Sequence, residues 1–228
     1  MSKSGPAKAP GGRTATIQRR YSRQAGRYDL CEAPAELLFR RWRPRLWDRI
    51  PPGRRVLEVG VGTGKNIRWH PPGVSVTAVD FSPKMLMRAV PKAQGHDPSP
   101  ELALMDAQAL GFASNSFDVA VATCVFCSVP DPVLGLQEVR RTLRPDGLLL
   151  LIEHVRSNMP VIGRVMDLCN PVTVGLQGVN INRDTVENVK RAGFQIDEVH
   201  DLFLDIVKLI VARPQPAVPA SPQPASQG

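Results

Sequence analysis

The sequence lacks the features that mark several classes of protein. Its four cysteines, in a chain of 228 residues, form no framework of paired positions, which favours a reducing cytoplasm over a disulfide-rich secreted fold. No apolar run approaches the roughly 20 residues of a membrane-spanning helix, and the N-terminus has no apolar signal-peptide core. There is no internal repeat. We therefore expect one cytoplasmic domain with extensions, long enough to bury a sizeable core.

Several common catalytic motifs are missing as well. The sequence offers no Ser/His/Asp set and no cluster of metal ligands. Cys124 and Cys127 have the C-x-x-C spacing of redox or metal sites, but no second cysteine pair or paired histidine accompanies them. We interpret the two cysteines as the end of a buried strand, and we expect no metal.

The most informative stretch is rich in glycine. An apolar run over Val56–Val59 predicts a buried parallel strand, and Gly60, Gly62 and Gly64 follow it directly. Such a strand and glycine turn, leading into a helix predicted from about 63 to 69, indicate a site for a nucleotide-like ligand. A tight turn without a ligand is the alternative, but three glycines in five residues are a costly way to build one.

The spacing of these glycines excludes two phosphate-binding motifs. The dinucleotide fingerprint G-x-G-x-x-G fails because the third glycine comes one residue early. The phosphate loop G-x-x-x-x-G-K-[ST] fails because Val59 and Asn66 stand where it needs a glycine and a hydroxyl residue. What remains is the pattern E-x-G-x-G-x-G, which begins at Glu58.

Strands and helices alternate along the chain. The strands are predicted at 55–59, 75–80, 101–106, 117–125, 148–152, 193–200 and 206–212. The other helices are predicted at 15–28, at 33–42 (ended by Pro44), from 82 onwards, at 131–143 and at 182–192. Residues 160–177 are predicted to be less regular, as a substrate lid. The alternation predicts a doubly wound α/β sheet, whose ligands bind beyond the carboxyl ends of the strands. Asp80, Asp106 and His154 all come at such strand ends.

Charge is distributed unevenly along the chain. Residues 1–50 hold 12 Lys/Arg and 4 Asp/Glu, whereas residues 51–228 hold 17 of each, so the whole net charge of +8 precedes the glycine loop. This asymmetry predicts an acidic partner, either an anionic membrane surface or nucleic acid. Trp42 and Trp47 beside Arg40, Arg41, Arg43 and Arg45 suit a helix at a membrane interface. The alternative is a helix that packs on the core and exposes a solvated basic face.

These observations divide the chain into four regions. We expect a disordered basic tail over 1–14, a helical arm over 15–50, a ligand-binding domain over 51–213 and a disordered tail over 214–228.

From about Tyr21 to Pro214 the chain resembles the class I S-adenosylmethionine (SAM)-dependent methyltransferases, in the subgroup called methyltransferase type 11. The motifs that carry the resemblance follow one another in the family's order: Tyr21 to Asp29, Leu57–Gly64, Asp80–Leu86, Met105–Ala107 and Leu143–Gly147. The resemblance implies a Rossmann-like, doubly wound sheet of seven mostly parallel strands with an antiparallel last strand.

Three groups within this family look similar to the chain. Bacterial phosphatidylethanolamine N-methyltransferases share most of the motifs, including Val129–Pro132. Quinone C-methyltransferases share the core pattern. Thiol S-methyltransferases share Cys127–Val129 and Glu153–Val155. The resemblance therefore implies a small-molecule or lipid acceptor, with a phospholipid headgroup amine as the first expectation, on a protein that is cytoplasmic or peripheral on the inner face of a membrane. The acceptor atom and the oligomeric state stay open.

The resemblance also implies a role for individual residues. The three glycines would line the methionyl part of SAM, Asp80 would hold the ribose, and Phe81, Asp106 and Ala107 would meet the adenine. Tyr21 and Tyr28 would close over the methyl donor. The full set expected at the cofactor comprises Tyr21, Glu58, Gly60, Gly62, Gly64, Asn66, Asp80, Phe81, Asp106, Ala107 and Cys124.

His154 and Tyr28 are the candidate catalytic residues. A histidine ordinarily titrates near neutral pH, so His154 at a strand's active edge would act as a base; a structural histidine is the alternative. Two other functions stay open. An RNA-binding or RNA-modifying protein would use the basic arm, but the chain has no Asn/Asp-Pro-Pro-Tyr motif after the fourth strand, so a nucleic-acid partner is not expected. The second is a SAM-binding protein without catalysis. Such a protein would be expected to have degraded cofactor motifs, whereas the cofactor motifs of this chain are intact.

Overall fold

The computed structural model describes residues 12–216, except for the side chains of residues 13, 31, 176 and 177. The expected tails therefore lie mostly outside the described residues. The strands are β1 (Arg55–Val59), β2 (Ser75–Asp80), β3 (Glu101–Leu104), β4 (Phe117–Thr123), β5 (Leu143–His154), β6 (Phe194–Phe203) and β7 (Val207–Pro214). The helices are α1 (Gly12–Cys31), α2 (Ala33–Trp47), α3 (Pro83–Gln94), α4 (Pro132–Thr142), α5 (Pro160–Gln177) and α6 (Thr185–Arg191).

The seven strands form one sheet in the order β3-β2-β1-β4-β5-β7-β6. The first five strands of this order are parallel, and β7 runs antiparallel to both β5 and β6. Strands β1, β4 and β5 occupy the centre, where their continuous apolar runs are buried on both faces. The predicted fold class is confirmed.

Each face of the sheet packs against its own helices. On one face, Trp47 of α2 and Ala89 of α3 lie in an apolar cluster with the sheet residues Val121 and Ile152. On the other face, α4 and α6 pack on a second cluster. Helix α1 contacts α3 and α2 and makes polar contacts with loops at the carboxyl ends of the parallel strands.

Helix α2 differs from the sequence prediction. It continues through Pro44 to Trp47 instead of ending before the proline. A proline inside a helix costs a backbone hydrogen bond, but Leu46 and Trp47 are fully buried here, and that burial favours the extra turn. Trp42 is buried too. The two tryptophans are therefore core residues and are not available at a membrane interface, so the alternative reading of this helix applies to them.

Other boundaries also differ from the prediction. The helix expected from about 63 to 69 is only a 3-10 turn, Ile67–Trp69, because Gly64 has a φ of 80° that no right-handed helix adopts. Residues 160–177, expected to be irregular, form the regular helix α5 with Pro171 inside it. Helix α1 begins at Gly12, three residues before its expected start. Within the described residues, no helix combines the length and apolar character that crossing a bilayer requires.

Candidate functional site

A cavity opens at the carboxyl ends of β1, β2 and β4. Its position is the one at which doubly wound sheets bind small-molecule ligands. The residues expected at the cofactor that line it are Tyr21, Gly60, Gly62, Asp80, Phe81, Asp106, Ala107 and Cys124. Tyr28, a candidate catalytic residue, lines it as well. The fold thus brings together residues from α1, the glycine loop and three strand ends, as the topology of a doubly wound sheet predicts.

The glycine loop forms one wall of the cavity. Gly60 and Gly62 have φ angles of 72° and 56°, in the left-handed region that favours glycine. A side chain at Gly60 would overlap Val125, whereas nothing lies within 4 Å of a Cβ added at Gly62. The backbone of β1 thus passes close to the β4 loop at Gly60, and Gly62 leaves open space beside the cavity.

Asp80 lies at the end of β2 and is almost fully buried. Its Oδ2 accepts a hydrogen bond from the Gly62 N–H at 2.9 Å, and its Oδ1 accepts one from the Ser82 N–H at 2.8 Å. Burial raises the pKa of this carboxyl to about 6, although the backbone donors oppose the rise. These bonds fix the carboxylate between the glycine loop and the start of α3, where its remaining lone pairs can accept from ligand hydroxyls.

Asp106 and Ala107 form the far end of the cavity. Asp106 Oδ1 accepts from the Gln108 N–H at 2.9 Å. The Gln108 side chain donates to Asp106 and also to the Thr14 hydroxyl of α1, at 3.1 Å in each case. Gln108 therefore links the loop after β3 to the first turn of the covering helix. Sequence analysis missed both Gln108 and Thr14, which lines the cavity.

Two tyrosines of α1, together with Phe81, cover the cavity. The Tyr21 ring lies 6.2 Å from that of Tyr28 and 5.6 Å from that of Phe81, between ring centroids. The Tyr21 hydroxyl is 2.6 Å from the Ser128 hydroxyl, within the loop after β4. Burial raises the pKa of both phenols well above its ordinary value, so both are neutral and can donate hydrogen bonds near neutral pH. Tyr28 is therefore suited to line the site or to donate, and not to act as a base.

Polar contacts hold α1 over the cavity. The Ser22 hydroxyl is 3.0 Å from the Ser82 hydroxyl, beside Asp80. Asp29 accepts from the Thr63 hydroxyl of the glycine loop at 2.6 Å and from Arg88 of α3 at 3.2 Å. The covering helix is thus tied to the same loop and strand end that form the cavity wall.

Three expected cofactor residues do not line the cavity. Glu58 is fully buried and accepts from the side chains of Asn66 at 2.8 Å and His70 at 2.9 Å. Asn66 also accepts a hydrogen bond from Arg43 of α2. Gly64 packs against Ala89 of α3. These residues join β1, α2 and α3 around the loop and support its position from behind.

His154 does not line the cavity either. It ends β5, and burial lowers the pKa of its imidazole. A lowered pKa keeps this histidine neutral at neutral pH, but the structure gives it no place beside the residues gathered at the cavity.

The neighbouring residue, Glu153, supports the site. It is fully buried, and its Oε1 accepts from the N–H groups of Val125 at 2.8 Å and Phe126 at 3.0 Å. Burial raises the pKa of its carboxyl to about 7. These bonds hold the loop after β4 in which Cys124 has a φ of 53° and lines the cavity. A carboxylate directly after the apolar run 148–152 was the sequence signal for this role.

The two cysteines of the C-x-x-C pair carry free thiols. Burial raises the pKa of both, that of Cys127 to about 12, so neither is a reactive thiolate at neutral pH. Among residues 12–216, no group of three or more His, Cys, Asp or Glu side chains has the arrangement of a metal site.

Comparison with known proteins identifies a methyltransferase domain over residues 57–151. The chain is 41% identical over 104 residues to a phosphatidylethanolamine N-methyltransferase of Cereibacter sphaeroides, covering 45% of the chain and 51% of the relative. It is 34% identical over 147 residues to thiol S-methyltransferase TMT1B of Rattus norvegicus, covering 61% and 59%. It is 30% identical over 188 residues to the ubiquinone/menaquinone biosynthesis C-methyltransferase UbiE of Paracoccus denitrificans, covering 75% and 74%.

The chain thus spans between half and three-fifths of the first two of these relatives, and about three-quarters of the third. Among solved structures, an S-adenosylmethionine-dependent methyltransferase of Mesorhizobium loti superposes with a TM-score of 0.59 at 24% identity, over 75% of this chain and 96% of that one. This structural likeness shows a shared fold.

Proposed function

Because the chain belongs to the family of SAM-dependent methyltransferases, we propose that it transfers a methyl group from SAM to a small or amphiphilic acceptor. The observation that carries the proposal is the cavity at the carboxyl edge, where the open position of Gly62, the buried carboxylate of Asp80 and the tyrosines of α1 meet. The acceptor is proposed separately below, since the relatives act on different compounds.

The residues at the cavity fit SAM. Gly62 offers open space and backbone groups to the methionyl part. Asp80 has a buried carboxylate whose free lone pairs suit a ribose diol. Phe81 and Ala107 supply apolar surface for the adenine, and Asp106 supplies an acceptor at its edge. Two carboxylates near the cavity also favour a ligand that carries a sulfonium charge.

The chain contributes mainly position and exclusion of water. SAM, when bound, supplies a methyl group that is already activated by the sulfonium. Tyr21 and Tyr28 cover the cavity from α1, so that transfer takes place away from bulk water. The Tyr21–Ser128 hydrogen bond fixes that cover against the loop after β4. Holding donor and acceptor in line accounts for a large share of such a rate enhancement, and it requires no strong base from the protein.

For the acceptor we propose a phospholipid headgroup amine at a membrane surface. Support comes from the similarity to a phosphatidylethanolamine N-methyltransferase and from the charge of the first 50 residues, which attracts anionic lipid. Arg19, Arg23 and Arg27 lie exposed along α1, the helix that covers the cavity. The protein would then work peripherally on the cytoplasmic face of a membrane.

A quinone ring carbon and a small thiol are the alternative acceptors. The quinone alternative is favoured by the similarity to UbiE, which extends over three-quarters of both chains. The thiol alternative is favoured by the similarity to thiol S-methyltransferase TMT1B. Apart from the basic charge of the first 50 residues, no feature of the described residues favours RNA as a partner or acceptor.

A label-transfer assay tests the proposal. The protein is incubated with methyl-labelled SAM and, separately, with phosphatidylethanolamine vesicles, a demethylated quinone and a small alkyl thiol, and the products are separated. We expect label in the lipid headgroup amine, and none with Asp80→Ala. Label in the quinone or thiol alone would replace the lipid acceptor by that alternative. Failure to bind SAM at all would contradict the proposal itself.

A further inference from the structure

Helix α5 exposes a continuous apolar stripe. Val161, Val165, Leu168 and Val172 follow one another at intervals of four, three and four residues, and between 54% and 80% of each is exposed. At 3.6 residues per turn the four side chains lie within an arc of about 60°. Scattered exposed aliphatic residues are ordinary, but a contiguous row on one helix face indicates a surface that binds something.

The opposite side of α5 is attached to the domain. The Met166 sulfur accepts from the Ser157 N–H at 3.4 Å. The Asn170 side chain accepts from the Ile181 N–H at 2.8 Å. The Thr173 hydroxyl is 3.0 Å from the carbonyl oxygen of Val179. The helix is therefore fixed with its apolar stripe turned outward.

The charged residues near the stripe are mostly basic. Arg164 is exposed beside it on the same helix, and the acidic Asp167 of α5 is paired with Arg156 at 2.8 Å. At the C-terminal end of α5, Arg20 of α1 donates a hydrogen bond to the Val174 carbonyl oxygen. This contact places that end of α5 against α1, which carries exposed arginines at 19, 23 and 27. An apolar stripe with basic neighbours is the pattern of a helix that lies in the surface of an anionic bilayer.

A groove beside this surface leads towards the cavity. Its charged lining residues are Arg23, Arg27 and Glu32. Val179, which follows α5, and the two tyrosines Tyr21 and Tyr28 also line it. The two tyrosines also line the cofactor cavity. A lipid held at the α5 surface would therefore lie near a groove with two arginines, which ends at the tyrosines over the candidate site.

We propose that the stripe on α5 docks the protein onto an anionic lipid bilayer, with Arg164 beside it and the basic helix α1 at the C-terminal end of α5. The proposal deepens the proposed function, since it rests on a lipid acceptor and names the surface that presents it. A second copy of the chain is a weaker occupant, because each copy carries a net charge of +8 and the two basic arms would repel each other.

Vesicle binding of the full-length protein tests this surface. Val165→Glu/Leu168→Glu replaces the two central residues of the stripe, and Met87→Glu/Val90→Glu replaces two exposed apolar residues of α3 as a matched control. Binding to vesicles of phosphatidylethanolamine and phosphatidylglycerol is measured by co-sedimentation, and folding is checked by circular dichroism. We expect the α5 variant to bind at least about tenfold more weakly, because removing one aliphatic side chain from the bilayer lowers the affinity by roughly that factor. The α3 control should bind almost as well as the intact protein.

Equal binding by the α5 variant and the control would overturn the docking surface. So would an intact protein that is a dimer in solution and becomes a monomer in the α5 variant, because the stripe would then join two copies. Label transfer from SAM in the same vesicles separates this inference from the acceptor proposal. Stripe-dependent binding without labelled lipid refutes the acceptor alone, and labelled lipid with unchanged binding refutes the docking surface alone.

Discussion

Alanine substitutions at Gly60 and Gly62 should destabilise the protein to different extents. Gly60 and Gly62 both have a left-handed φ, which costs a residue with a Cβ roughly 1–2 kcal/mol. A Cβ at Gly60 would also overlap Val125, whereas a Cβ at Gly62 meets no atom within 4 Å. Overpacking adds about 1–3 kcal/mol. We expect Gly60→Ala to lower the free energy of unfolding by about 2–5 kcal/mol and Gly62→Ala by about 1–2 kcal/mol.

Urea denaturation followed by circular dichroism measures both losses, provided that the denaturant slope is the same for the two variants. The difference of about 1–3 kcal/mol should appear as a separation of about 2–12 °C in thermal midpoint for a chain of this size. Equal losses for the two variants would refute the close approach of β1 and the β4 loop at Gly60.

SAM affinity should follow the opposite order in the folded proteins. The methyl group of Gly62→Ala occupies open space at the cavity wall, so it competes with a ligand there and should weaken binding by roughly 1–3 kcal/mol. The methyl group of Gly60→Ala faces Val125 instead. A Gly62→Ala protein that binds SAM as well as the intact chain would contradict the placement of the cofactor against this loop.

Three further results are expected. SAM affinity should fall as pH drops below about 6, because Asp80 then gains a proton and loses its acceptor charge; calorimetry with Asp80→Asn should show a flatter profile. Folding raises the pKa of Glu153 from 4.5 to about 7, so the native state holds the carboxyl proton more tightly than the unfolded state, and the free energy of unfolding should fall as pH rises between these values. In urea denaturation at a series of pH values, Glu153→Gln should show a smaller fall. The same pH dependence in Glu153→Gln and the intact protein would refute this assignment. Asp131→Ala removes the carboxylate that accepts from Leu134 N–H at 3.0 Å at the start of α4, and chemical denaturation should show a loss of about 1 kcal/mol, without change in SAM affinity.

The centre of the sheet was predictable because β1, β4 and β5 each contain a short apolar run. The cap at Asp131 and the strand end at Asp80 follow from local chemistry that acts over a few residues. The antiparallel last strand was predicted from the resemblance to a known family. The order of the strands was not predicted, since periodicity alone does not give the partner of a strand.

The errors arose where tertiary contacts outweigh local signals. Pro44 signals a helix end, yet the burial of Leu46 and Trp47 carries α2 past it. Pro171 likewise lies inside α5, which its side-chain contacts attach to the segment around Val179 and Ile181.

The sequence also did not show which motif residues line the cavity and which support the glycine loop from behind. Glu58 and Asn66 belong to the sequence motif but face a buried network with His70. Gln108 reaches back to α1 across a long sequence separation, which no local pattern reveals. Motif membership thus predicted which loop lines the cavity, and not which residues of that motif face it.

Isothermal calorimetry with SAM tests the central claim most directly. The intact protein should bind one SAM per chain. Asp80→Ala should lose about 3 kcal/mol or more of binding free energy, which is over a hundredfold in affinity, because a charged acceptor for two hydroxyl groups is removed. Asp131→Ala, outside the cofactor cavity, should bind SAM as the intact protein does. Absence of binding by the intact protein, or unchanged affinity in a folded Asp80→Ala variant, would contradict the assignment of this cavity to the cofactor.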